Sequence, residues 1–250
     1  MNEEAFHFLK LAEEALAGLR RALEATGPSS VPAPPPVPPA PAQEPATSSL
    51  RDPVAFFNAV RSSKALGPSL TTDEVSGCEA ILAACTGFPV AWAAYCLATP
   101  VVETAGTMRP IKERGGSAYF LRMYDIQGDR PDKARELGNL LPGDGARYCG
   151  RGYVQLTGKN NYARAADKLG VELIADPDLA LRPDVAARIM RQGMLEGWFT
   201  GKSLSTYLPA RADIHQFTNA RRIINGQDRA VEIAQYALEF QDALVAGGWS

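Results

Sequence analysis

Residues 90–116 read VAWAAYCLATPVVETAGTMRPIKERGG. The first thirteen positions are apolar or small with no charge, so a helix starting near Pro89 and running through Trp92, Tyr95 and Cys96 towards Glu103 has no polar face to turn to water. A helix that is apolar all round belongs in a core. It ends on a carboxyl, Glu103, beside Val101 and Val102, and the Gly106, Pro110, Gly115 and Gly116 that follow break the helical pattern. Ten residues on, Glu113 sits between Lys112 and Arg114. One carboxyl is placed among apolar groups that disfavour its charged form, and the other among cations that favour it.

Outward from this segment the chain is read as mainly helical. The expected helices are Asp52 to about Ser63, Thr72 to about Thr86 behind a Thr71 cap with Glu74 in the first turn, and the core helix described above. Further ones are expected at about Tyr162 to Leu169, Arg182 to Trp198 and Arg229 to Val245. Between Arg109 and Thr157 eight glycines cluster, which suits loops, a short hairpin and a binding cleft.

The N-terminal part is of a different kind. Ala5, Leu9, Ala12, Leu16, Leu19 and Leu23 recur at spacings of four and three, which predicts an amphipathic helix within residues 1–27. Nine of the 19 prolines fall between Pro28 and Pro45, so residues 28–50 read as an extended, proline-rich linker to a domain at 51–250. A lone helix of that length is marginal in water, and its stripe suggests self-association or attachment.

Composition removes several classes of function. The 250 residues are 46% hydrophobic and 22% charged, which is globular, and 26 Lys+Arg against 28 Asp+Glu leave no basic field that would advertise nucleic-acid binding. Only His7 and His215 exist, too few for a usual zinc hydrolase site, and no metal or cofactor is expected. No run of 18 apolar residues offers a transmembrane segment, and the acidic Met1-Asn2-Glu3-Glu4 start is unlike a signal peptide. The four cysteines, Cys78, Cys85, Cys96 and Cys149, lack C-x-x-C spacing and read as buried thiols.

Two carboxyls in contrasting environments are what glycoside hydrolysis uses, one as acid and one as base or nucleophile. Two glutamates ten apart are common, and the surrounding text makes the reading specific. E-T-A-G at Glu103 is followed by Gly138-Asn139, by PGDGARY at 142–148, by GRGYVQLTG at 150–158, by Asn161-Tyr162 and by IING at 223–226. Over roughly Thr72 to Leu244 this resembles family 19 glycoside hydrolases, chitinase-like enzymes, and especially the compact bacterial and phage forms that serve as endolysins.

The resemblance implies a lysozyme-like, two-lobed helical domain with a central cleft, working by inversion without metal. It implies Glu103 as general acid, Glu113 as the base that activates water, and Thr157 as the hydroxyl that helps hold that water. Gln155 and Asn161 would line the sugar cleft, with Asn225 contacting substrate from the opposite wall. Read from the residues alone, Gln155, Thr157 and Asn161 also fit a turn whose side chains bond backbone, and Asn225-Gly226 a plain turn. Arg151 fits a structural fork that ties loops together.

The family usually has His before the acid where this chain has Val102, and Pro100 withdraws one helical hydrogen bond. Substrates consistent with the resemblance are peptidoglycan, as in bacterial cell-wall lysis, or chitin. An endolysin would be made in the host cytoplasm and reach the wall after release. The alternatives are a non-catalytic module that binds cell-wall glycan, and a Cys149/His215 amidase.

Overall fold

The computed structural model describes residues 50–249. The expected N-terminal helix at 1–27, and the linker at 28–50 apart from Leu50, lie outside the described residues. Leu50 is buried, and a Cβ on Gly247 would approach its Cδ1 to 2.7 Å. Asp52 N donates to Gly247 O at 2.9 Å, so the two ends of the described domain meet.

Helix α1 (Pro53–Arg61) opens on Asp52, whose side chain accepts from Ala55 N at 2.9 Å. Helix α2 (Thr72–Ala84) starts with a reciprocal cap in which Thr71 and Glu74 each satisfy the other's backbone N–H. Helix α3 (Val90–Glu103) buries eleven of its fourteen residues, which accounts for its lack of an amphipathic stripe. Helix α11 (Ala230–Ala246) packs along α3, α1 and α10 (Ile214–Ala220) to make one helical body. Helix α2 packs on α8 (Pro183–Glu196).

The glycine-rich middle is more regular than the sequence suggests. A two-residue antiparallel ladder joins β1 (Ile111–Lys112) to β2 (Arg151–Gly152), pairing Ile111 with Gly152 and Lys112 with Arg151. Between the strands run α4 (Ser117–Tyr124), α5 (Pro131–Leu137) and α6 (Asp144–Arg147), followed by α7 (Lys159–Leu169) and a 3-10 turn at Pro177–Leu181. The short α9 (Leu204–Tyr207) and α10 were likewise not expected. Helices of four to eight residues present too few turns for a 3.6-residue stripe to stand out.

The lobe formed by α4, α5 and α6 is held largely by polar pins. Asp125, 1% exposed, accepts from Gly143 N at 2.8 Å and Gly145 N at 3.1 Å. Buried Asn139 donates to Tyr124 O at 2.9 Å and accepts from Lys159 N at 3.0 Å. Arg151 is indeed a structural fork: its Nε donates to Asp178 at 2.7 Å, and its Nη1 reaches the carbonyls of Arg147 and Cys149 and the Tyr162 hydroxyl. Such groups fix loops that lack apolar area of their own.

All four cysteines are free and buried. The Cys149 thiol is pushed up by burial, and its sulfur meets Arg151 rather than a histidine, while His215 is exposed on α10. A buried thiol with a disfavoured thiolate is no nucleophile, so the amidase reading has no support. No helix among the described residues is long and apolar enough to cross a membrane.

Candidate active site

Glu103 and Glu113 line one cleft of about 590 Å³, together with Val102, Thr104, Ala105, Thr107, Ile111, Lys112, Arg114 and Gln155. Each carboxyl reaches it by a different route.

Glu103 is the last residue of α3, and the turn after it is tightly specified. Gly106 N donates to Val101 O at 2.7 Å, Thr104 Oγ1 donates to Pro100 O at 2.7 Å, and Met108 N donates to Thr104 Oγ1 at 3.0 Å. Ala105 and Met108 both adopt φ of 52°, a region non-glycine residues enter at a cost. Buried Met108 lies so close to Gly77 on α2 that a Cβ there would come within 2.2 Å of Met108 O. The turn that aims Glu103 is therefore clamped against another helix.

The apolar neighbours expected for Glu103 are present, since Val101 and Val102 are buried, but the carboxylate itself faces a cation. Arg221 Nη1 donates to Glu103 Oε1 at 2.7 Å, with the Arg side chain 2% and the Glu side chain 22% exposed. Arg221 is itself held through Nε to Asp228 O at 2.9 Å. The sequence reading missed this residue. It lies two residues before the IING segment, in the 3-10 turn Arg221–Ile223 that closes α10, next to exposed Arg222.

Glu113 follows β1 and is gripped by hydrogen-bond donors. Its Oε1 accepts from the Tyr124 hydroxyl at 2.8 Å and, more weakly, from the Tyr119 hydroxyl at 3.4 Å; its Oε2 accepts from Gly150 N at 3.1 Å. Burial, followed by the bond to Glu113, pushes the Tyr124 phenol well above its ordinary range, so it stays protonated and donating. Both tyrosines lie on α4, a helix the sequence reading did not expect, which is why they were not singled out.

Gln155, Thr157 and Asn161 form the ground beneath Glu113. The Gln155 side chain, on a residue with φ of 53°, donates to Ile111 O and Gly152 O, both at 3.1 Å. Thr157 Oγ1 donates to Gln155 O at 2.8 Å, and Asn161 Nδ2 donates to Thr157 O at 2.7 Å. Their donors are thus spent on backbone, while acceptor oxygens remain. Gln155 Oε1, Glu113 Oε2 and Thr157 Oγ1 lie 2.9, 3.0 and 3.2 Å from the point a Gly150 Cβ would occupy, so three oxygens converge where only glycine leaves room. Of Gln155, Thr157 and Asn161, Gln155 is on the cleft wall. Asn225 is exposed, accepts from its own neighbour Gly226 N at 2.8 Å, and stands off that wall.

The cleft thus holds two carboxyls, one engaged by a buried cation and the other by two phenols and a backbone amide. Residues 92–205 match the family model of glycoside hydrolase family 19, chitinase class I. That match lies wholly within the described residues. Chitinase C from Streptomyces griseus HUT6037 superposes with a TM-score of 0.54 at 23% identity, over 80% of this chain and 78% of that one. A bacterial family 19 chitinase aligns at 22% identity over 78% of this chain and 95% of that one, with a TM-score of 0.44. No curated protein matches the sequence.

Proposed function

We propose that the chain cleaves β-1,4 bonds of peptidoglycan by an inverting two-carboxylate mechanism, as an endolysin would, with Glu103 as acid and Glu113 as base. The observation that supports the reading is that both carboxyls line one cleft, Glu103 held by Arg221 and Glu113 by Tyr124 and Gly150. Glu103 Oε1 is engaged by Arg221, and its second oxygen is left for the proton that goes to the glycosidic oxygen. Once that proton leaves, the fixed guanidinium stabilises the carboxylate produced, a charge that develops in the transition state. Glu113 is fixed by the Tyr124 hydroxyl and Gly150 N, which hold its carboxylate oxygens in place to take a proton from water. The acceptor oxygens of Thr157 and Gln155 beside it can orient that water. Asn225, on the turn that follows Arg221, supplies a substrate contact from the Glu103 side.

Chitin is the second reading, favoured by the class of the matching family. Product analysis separates the two. Mass spectrometry of digests of purified peptidoglycan and of chitin oligosaccharides, by wild type and by Glu103→Gln, should show new reducing ends from peptidoglycan that disappear in the variant. Cleavage of chitin alone overturns the peptidoglycan assignment.

A further inference from the structure

The charge on the Glu113 side of the cleft does not balance, and this bears on which polymer enters; the inference rests on the peptidoglycan reading above. Lys112 and Arg114 flank Glu113, and all three line the cleft. Glu103 is matched by Arg221 at 2.7 Å. Asp178 faces two cations, Arg151 Nε at 2.7 Å and Lys112 Nζ at 3.9 Å. Arg114 is exposed, and among the described residues no carboxylate pairs with it. Lys112 and Arg114 therefore stand against the single charge of Glu113, whose two oxygens already accept from Tyr124 and Gly150.

The neighbouring stretch of groove shows the contrast. Past Ala105 and Thr107 it continues to Thr71, Asp73, Glu74 and Arg109, and there the cation is matched, Arg109 Nη1 lying 3.4 Å from Asp73. The excess of positive charge is local to the segment that carries the base.

A chitin chain is neutral along its length and has no use for a cation pair beside the bond that breaks. In peptidoglycan every second sugar carries a lactyl ether, which ends either in a free carboxylate or in a peptide that bears carboxylates. We infer that Arg114, supported by Lys112, is the carboxylate-binding edge of this cleft and sets the preference for the anionic polymer over the neutral one. A guanidinium presents a planar fork that fits a carboxylate with two parallel bonds, and a nearby ammonium adds a second point of attraction.

The test uses the full chain and three substrates: intact peptidoglycan, glycan strands stripped of peptide by an amidase and so bearing lactyl carboxylates, and neutral chitohexaose. The quantity read is the initial rate on each anionic substrate divided by that on chitohexaose. Arg114→Gln should lower this ratio roughly fivefold, the size exposed charge pairs reach at their upper end, and Arg114→Glu should lower it further. Arg114→Lys should recover part of the loss, and added salt should bring wild type towards Arg114→Gln.

A loss confined to stripped strands identifies the lactyl carboxylate as the group recognised, and a loss confined to intact material identifies the peptide. A ratio that stays constant in both Arg114→Gln and Arg114→Glu, with unchanged thermal midpoints, overturns the inference while leaving the peptidoglycan reading in place. A wild type that cleaves chitohexaose and neither anionic substrate overturns both.

Discussion

The two walls of the cleft hold their carboxyls by opposite means. Glu103 stands at the end of a helix sunk in the core, and among the described residues its side chain bonds a buried arginine from a distant segment. Glu113 directly follows a two-residue strand, and its partners are two phenols from a short surface helix and a backbone amide from a loop. The first wall is rigid because it is packed, and the second because it is hydrogen-bonded. Changes that disturb packing should therefore act through stability on the Glu103 side, while changes that disturb polar contacts should act through turnover on the Glu113 side.

The largest effects should come from the carboxyls themselves. Glu103→Gln keeps the shape and removes the transferable proton, and general acid catalysis contributes at least about 10²-fold, so glycan turnover should fall by two decades or more with the fold intact. Glu113→Gln should fall comparably, since an amide cannot accept the proton of the attacking water. Near-normal turnover in either variant would remove that residue from the chemistry.

Two glycines test the comparison directly. At Gly77 an added Cβ meets backbone, Met108 O at 2.2 Å, so the turn after Glu103 must move. Gly77→Ala should cost about 3 kcal/mol, the upper range for overpacking. In a domain of this size that is roughly 6–12 °C in Tm. At Gly150 the nearest atoms to the added Cβ are side-chain oxygens of Gln155, Glu113 and Thr157, at 2.9 to 3.2 Å. Gly150→Ala should leave Tm nearly unchanged and lower kcat about thirtyfold, because a displacement of a fraction of an ångström is enough to misplace a base. If calorimetry and kinetics gave the reverse pattern, the contrast between a packed and a hydrogen-bonded wall would be wrong.

The same contrast explains what could be read in the chain. The α3 helix and its terminal glutamate were legible because an uncharged apolar run ending on a carboxyl has few other readings, and helix α2 showed itself by its Thr71 and Glu74 cap. The Glu113 wall was legible only through its residue pattern. Its supporting helix α4 is eight residues long and carries no side-chain cap, so Tyr119 and Tyr124 gave no local signal. Arg221 was hidden for another reason. It acts across 118 positions of sequence, and nothing within its own segment separates it from exposed Arg222 beside it. Long-range polar pairing is set by tertiary geometry, to which local pattern is blind.

Smaller effects should follow from the groups around the base. Tyr124→Phe removes the shorter of the two phenol bonds to Glu113, a hydrogen bond to a charged group worth about 1.5 kcal/mol, and kcat should drop roughly tenfold. Because the Tyr124 phenol is pushed up, it remains protonated well into the alkaline range, so its ionisation cannot produce an alkaline limb in the pH–rate profile. The alkaline limbs of wild type and Tyr124→Phe should coincide. Thr157→Ala, which deletes a neutral hydroxyl beside the water site, should cost about 1 kcal/mol, or roughly fivefold. A Thr157→Ala defect larger than that of Glu113→Gln would mean that the base has been misassigned.

The smallest effect should lie on the turn behind Glu103. Asn225 is exposed, and its Oδ1 is already bonded to Gly226 N at 2.8 Å, so any bond to sugar competes with one it has and with water. An interaction of that kind is worth a fraction of a kcal/mol and is made equally before and during bond breaking. Asn225→Ala should therefore raise KM about twofold and leave kcat alone, which steady-state kinetics on a soluble oligosaccharide can resolve. A tenfold loss of kcat would place the 221–226 turn on the reacting atoms, and the Glu103 wall would then owe its chemistry to loop polar groups as much as the Glu113 wall does.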